Sequence, residues 1–213
     1  MDIEYYGANC FRIKTKGSSI VIDDNLEAIG AKSVTKDKDV VVYTSEMLKD
    51  KKALSKARLV LDSAGEYEVG DVSVKALQTR AHMDEEGAET ATVYQFLYEN
   101  MSVIVLGHIH PDLSDDVIEM AGGTDVLVVP VGGNGYTLDV VGATNVIKKI
   151  EPDAVVPSQY AIKGLNYEVL ANPLDEFMKT SGMQSAEPVD SYKVGKSSAE
   201  LSGQTHLVLI NAK

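Results

Sequence analysis

The chain has 213 residues, of which 44% are apolar and 24% charged, and its 32 acidic against 20 basic side chains give a formal net charge of −12. These values are typical of a globular protein with a substantial core, and we predict one domain over residues 1–213. The acidic balance argues against nucleic acid and an anionic membrane as partners, because the average surface would repel both. Cys10 is the single cysteine, so no internal disulfide can form. With no signal-like segment and no apolar window of membrane-spanning length, we expect a cytoplasmic protein.

The first half of the chain has the pattern of consecutive short strands. Runs rich in β-branched and aromatic residues are separated by turns at glycines such as Gly7, Gly17 and Gly65. Residues 103–106 are apolar without alternation, which indicates a strand buried on both faces. The predicted strands are 2–6, 10–15, 19–23, 39–44, 58–62, 66–69, 72–79, 92–99 and 102–107, with one helix at 48–56.

The second half alternates helices and buried strands. Ser114 is the predicted N-cap of a helix at 115–121, and residues 138–150 carry apolar side chains at a period near 3.6. A helix at 166–180, interrupted or started at Pro173, and strands at 125–130, 154–157 and 205–210 complete the pattern. Two runs of strands accompanied by helices predict an α/β fold, a four-layer αββα sandwich of two mixed β-sheets.

Several short motifs punctuate these elements in a characteristic order. They are Gly7-x-x-Cys10-Phe11, Ile20-Val21-Ile22-Asp23, Gly65-Glu66-Tyr67-Glu68, Leu106-Gly107, Val129-Pro130-Val131-Gly132-Gly133 and Val156-Pro157-x-x-Tyr160. With these motifs the chain, as far as Tyr160, resembles the metallo-β-lactamase-fold superfamily and within it the small zinc-dependent hydrolase-like proteins. The resemblance implies the αββα fold and a pocket that holds two metal ions in this family. It does not by itself define the chemistry.

The family's metal ligands, carried over position by position, fall mostly on residues that do not bind zinc. The first-hairpin histidine and the His-x-His-x-Asp-His loop are replaced, as are the bridging aspartate and the last histidine. A hydroxyl or thioether is a poor zinc ligand and an ammonium repels a cation, so the resemblance predicts no dinuclear zinc hydrolysis here. The corresponding residues are Ala8, Ser45, Met47, Lys49, Asp50, His82, His108 and Gln159.

Two functional hypotheses follow. The first is a non-catalytic protein, a pseudoenzyme with a degenerate metal site, that binds a small molecule or a protein or assembles as a homo-oligomer. The second is a metal-dependent hydrolase with a displaced site, in which His82, His108 and His110, with Asp50, hold zinc or another divalent metal. Against it, Pro111 indicates that the strand is ending, and the histidines would then be hydrogen-bonded loop residues.

Overall fold

The computed structural model describes residues 1–183, 187–195 and 205–213. Two mixed β-sheets lie face to face with helices on both outer faces, which confirms the predicted four-layer αββα sandwich. Within the described ranges, no helix has the length and apolar character needed to cross a membrane.

The first sheet has six strands, antiparallel at one end and parallel at the other. The β3 strand pairs in parallel with β4, and β4 with β5, while the remaining pairs are antiparallel. In spatial order the strands are β12 (Tyr192–Lys193), β1 (Asp2–Gly7), β2 (Cys10–Lys14), β3 (Ser19–Ile22), β4 (Val40–Val42) and β5 (Leu59–Leu61).

The second sheet has seven strands and is also mixed. Its first four strands are parallel and the rest are antiparallel. In spatial order they are β13 (His206–Leu207), β11 (Ala154–Ser158), β10 (Val126–Pro130), β9 (Met101–Val105), β8 (Ala91–Tyr98), β7 (Val72–Thr79) and β6 (Gly65–Val69).

The helices cover both sheets, so the strands between them are buried on two faces. Against the second sheet lie α2 (Asp115–Met120), α3 (Val140–Ile150) and α4 (Leu174–Ser181), and the first sheet is covered by α1 (Lys51–Lys56) with a 3₁₀ turn at Leu26–Ile29. In β3, Ile20 and Ile22 belong to the core between the sheets, whereas Val21 packs in the outer cluster. Burial on both faces explains why these strands are apolar without alternation.

Three predicted elements differ from the structure. The helix expected over 166–180 starts at its N-cap Pro173, as one of its two alternatives had it, so that residues 166–172 are not helical, because proline disfavours helical backbone in the residue before it. The helix expected at 48–56 is a 3₁₀ turn, Glu46–Leu48, followed by α1, whose N-cap is Asp50. The strand expected at 205–210 is ordered as a strand only over His206–Leu207.

Candidate functional site

The polar loops of both sheets meet at one edge of the sandwich. Strands β3 and β4 are parallel in one sheet, and β9, β10 and β11 are parallel in the other, so their carboxyl ends bring successive loops together. The turn between β1 and β2 reaches the same edge, where the backbone N–H of Gln159 donates to the Ala8 carbonyl at 2.7 Å. Ligands of α/β proteins characteristically bind at the carboxyl ends of strands.

A fully buried hydrogen-bond network around Asp23 ties these loops together. The Asp23 carboxylate accepts from Asn9 Nδ2 at 2.7 Å and from the backbone N–H and hydroxyl of Thr44 at 2.7 and 2.6 Å. Asn9 Oδ1 in turn accepts from the hydroxyl of Ser158, in the second sheet, at 2.7 Å. The network therefore joins both sheets beneath the candidate site.

Burial makes this network unusual electrostatically. It raises the pKa of Asp23 to about 6, although the hydrogen bonds from Thr44 and Asn9 favour the charged form. Desolvation opposes any buried carboxylate, and here no cation pairs with Asp23 among the described residues. Asp23 thus changes protonation in a range where most carboxylates are fully ionised.

A cavity of about 170 Å³ opens above the network. Its further polar and aromatic lining comes from Asn25, Tyr136, Tyr167 and Glu168, which lie on three different stretches of loop. Five of its lining residues occupy positions where the resemblance places metal ligands: Ala8, Met47, Lys49, Asp50 and Gln159.

The charged groups of the loop after β4 have partners within the protein. Lys49 pairs with Asp62 at 2.7 Å and with Glu46, and hydrogen bonds to these carboxylates raise the pKa of the ammonium. Ser45 lines the neighbouring cavity of about 220 Å³, in which Lys49 and Asp62 also lie. Asp50 Oδ1 accepts from the amides of residues 52 and 53 and so caps α1.

Gln159 and Ala8 are held in place by backbone geometry. Both have positive φ, 54° and 49°, which is uncommon for residues other than glycine. Gly132 approaches Gln159 so closely that a Cβ there would lie 1.9 Å from the Gln159 carbonyl oxygen. The chain can therefore follow this path only with glycine at position 132.

The three histidines near this edge form a separate group that does not line the cavity. His108 is 3% exposed and lies edge-on to the ring of Tyr136, with 4.6 Å between centroids. The His82 amide donates to the His108 carbonyl at 2.7 Å, and the His82 and His110 rings are 6.3 Å apart. Burial, with a smaller contribution from His82, lowers the pKa of His108 to about 4.

Neither set of residues fits the metal centre of the family. Within 1–183, 187–195 and 205–213, no three His, Cys, Asp or Glu side chains are grouped closely enough to hold a metal ion. At the cavity positions where the resemblance places metal ligands, the side chains are the thioether of Met47, the amide of Gln159 and the methyl group of Ala8, none of which is a usual zinc ligand. The donor set here does not fit two zinc ions.

Sequence reasoning missed the residues that support the site. Asn9, Thr44 and Ser158 gave no signal, because a single polar residue at the end of a strand is common. In the sequence Asp23 stands out only as part of a family motif, although an aspartate that ends an apolar run can indicate a buried carboxylate. Tyr136 follows three consecutive residues with positive φ, 133–135, and that loop geometry could not be read from its glycines alone.

The fold and the pocket at the strand ends define a class of protein, and the sequence places the chain within it. A sequence profile of the β-lactamase superfamily domain matches residues 2–159, and the chain belongs to that superfamily. A UPF0173 protein of Pyrococcus abyssi is 28% identical over an alignment of 188 positions, which covers 77% of this chain and 85% of that protein.

Two solved structures illustrate the likeness. A protein of Thermotoga maritima, assigned as a zinc-dependent hydrolase of the metallo-β-lactamase superfamily, is 26% identical with a TM-score of 0.71, covering 98% of this chain and 97% of its own. Igni18, a metallo hydrolase of Ignicoccus hospitalis, is 16% identical with a TM-score of 0.65, covering 99% and 95%. The second likeness concerns the fold alone.

Proposed function

We propose that the protein is a binding protein of the β-lactamase superfamily that holds a small molecule in its strand-end pocket without metal-dependent hydrolysis. The observation that carries the proposal is the lining of that pocket. Ala8, Met47 and Gln159 occupy it at positions where the superfamily has metal ligands. The network around Asp23 supports the same conclusion, because it joins the two sheets beside the pocket through hydrogen bonds alone, without a metal ion.

Metal analysis tests the proposal directly. Protein purified without chelator is expected to contain far less than one equivalent of zinc, manganese or iron, and to gain no tightly held metal on incubation with zinc followed by desalting. About one or two equivalents of bound metal would contradict it, since a catalytic site holds one or two ions.

A displaced hydrolytic site is the second candidate, and one observation favours it. The Nδ1 atom of His82 and both ring nitrogens of His108 are buried and accept or donate no hydrogen bond within the described part of the chain. Buried polar atoms are almost always paired, so unpaired imidazoles call for an explanation. If metal is found, His108→Phe tests this candidate, because it should abolish metal binding by the histidine group, and an unchanged metal content would exclude that group.

A further inference from the structure

A second cavity, with a basic lining, lies at the opposite edge of the sandwich from the strand-end pocket. It is an open groove of about 590 Å³ on the side of the first sheet that α1 covers. The groove lies at the amino ends of β3 and β4, whereas the strand-end pocket lies at their carboxyl ends, and the two share no lining residue. The side chains that define this basic groove are Arg12, Lys14, Lys36, Lys38 and Lys56.

The strand pattern of β2 places two of these side chains in the groove. Phe11 and Ile13 belong to the core between the two sheets. Because side chains alternate along a strand, Arg12 and Lys14 lie on the outer face. Lys14 is paired in register with Ser19 at the start of β3, which also lines the groove.

A buried ion pair holds the loop that carries two further lysines. Asp39 Oδ1 accepts from Arg12 Nη1 and from the Ser19 hydroxyl, both at 2.7 Å. Asp39 Oδ2 accepts from the backbone N–H of Lys36 at 2.7 Å, and the Asp39 amide donates back to the Lys36 carbonyl at 2.9 Å. These bonds close the turn that contains Lys38, so the backbone of both lysines is positioned before a ligand binds.

Three lysines of the groove carry charge that no neighbouring side chain neutralises. Lys36, Lys38 and Lys56 form no ion pair with any side chain in the part of the chain that the structure describes. Among the lining carboxylates, Asp39 is already paired with Arg12, which leaves only the exposed Asp37 to oppose the three ammonium groups. The groove therefore has an excess of positive charge.

The surroundings of the groove maintain this excess. Lys14 pairs with Glu4 at 2.8 Å, but Lys213 pairs with the same carboxylate at 2.6 Å, so one negative charge is shared by two ammonium groups. Residues 12–58 have 11 basic against 7 acidic side chains, whereas the rest of the chain has 9 against 25. At physiological ionic strength charges are screened over about 8 Å, so the distant acidic surface does not cancel the local potential.

We propose that the basic groove binds a small polyvalent anion that carries two or three linked phosphate groups. Lysines from a strand, a loop and a helix line the same groove, so an anion with several charges can contact more than one of them. Each terminal phosphate offers three acceptor oxygens to the three donors of an ammonium group. The volume lies in the range of small-molecule sites, and a long polyanion would extend onto the acidic remainder of the surface. This inference goes beyond the proposed function and does not depend on it.

Calorimetric titration of the full chain tests the ligand class. Orthophosphate, pyrophosphate and tripolyphosphate are added in buffer free of divalent cations, with citrate and a hexaglutamate peptide as comparison anions. We expect tripolyphosphate to bind at least about tenfold more tightly than orthophosphate, with pyrophosphate between them, and added salt to weaken binding. Citrate or hexaglutamate that binds as tightly as tripolyphosphate would overturn the phosphate assignment.

Two triple variants with the same change in net charge locate the site. The first replaces the unpaired lysines of the groove: Lys36→Gln, Lys38→Gln and Lys56→Gln. The control replaces three exposed lysines elsewhere: Lys148→Gln, Lys163→Gln and Lys179→Gln. We expect the groove variant to weaken tripolyphosphate at least about tenfold and the control less than about twofold, with urea denaturation showing that both variants are folded.

The outcomes separate the basic groove from the strand-end pocket. Equal losses in the two triple variants would show that binding follows net charge alone and would overturn the site, as would the absence of tripolyphosphate binding. The backbone amides of residues 36–38 should shift in NMR spectra on titration. Shifts confined to residues 47–50 and 159 would overturn the groove and place the anion in the strand-end pocket.

Discussion

At the scale of single residues, the first sheet contains a buried ion pair whose charged groups form several hydrogen bonds. Arg12 Nη1 donates to Asp39 Oδ1 at 2.7 Å and to the Ser19 hydroxyl at 2.8 Å, and its Nη2 donates to the Val34 carbonyl. Asp39 Oδ2 accepts from the amide of residue 36. Both side chains are almost fully buried, so each charge depends on the other for compensation.

Removing one partner should therefore be costly. We expect Asp39→Ala to lower the free energy of unfolding by about 3–5 kcal/mol, since it leaves the guanidinium of Arg12 buried and unpaired. Asp37→Ala, two residues away and exposed, is the control and should change stability by less than about 0.5 kcal/mol. Urea denaturation measures both, and equal effects would show that the pair carries no special weight.

At the scale of elements, the pocket is defined by contacts between loops rather than by helices. Gly132 follows β10 and lies against the carbonyl of Gln159, which follows β11. The amide of Asn172 donates to the Gly132 carbonyl at 2.8 Å and joins a third segment to this contact. These backbone contacts fix the positions of Gln159 and of the loop that carries Tyr136.

A single methyl group at this contact should disturb the whole edge. In Gly132→Ala the new Cβ would lie 1.9 Å from the Gln159 oxygen and 3.0 Å from the Ala171 Cβ, and backbone atoms cannot yield cheaply. We expect a loss of at least about 2–3 kcal/mol by thermal or urea denaturation. Gly122→Ala, exposed and with its nearest contact at 3.3 Å, is the control. A loss no larger than the control's would contradict the contact.

The strands were predictable from sequence to a degree that the site was not. Apolar runs such as 40–42 and 126–130 identify buried strands because both of their faces are covered. The resemblance places His108 at a metal-ligand position of the family. Its environment, however, depends on the ring of Tyr136, which lies 28 residues further along the chain and packs against it.

At the scale of the whole molecule, two buried groups from different sheets respond oppositely to pH. Burial raises the pKa of Asp23 to about 6 and lowers the pKa of His108 to about 4, so the fold favours the neutral form of both. As pH rises through this range, Asp23 makes folding less favourable and His108 makes it more favourable. Hydrogen bonds from Lys14, Lys213 and Tyr6 outweigh burial and lower the pKa of Glu4 to about 2, so its contribution is lost only below about pH 4.5.

Between about pH 4.5 and 6.5 the contributions of Asp23 and His108 to the free energy of unfolding should change with pH in opposite directions and nearly cancel. A variant that lacks one of the two groups should reveal the contribution of the other. In Asp23→Asn the free energy of unfolding should rise with pH across this range by about 2–3 kcal/mol, because His108 is then uncompensated. In His108→Phe, which keeps an aromatic edge against Tyr136, it should fall by a similar amount. The double variant should resemble the parent, with little slope. Urea denaturation at constant ionic strength measures all four proteins. Equal slopes in all four would mean that neither group is shifted by folding, and parallel slopes in the two single variants would mean that the cancellation does not exist.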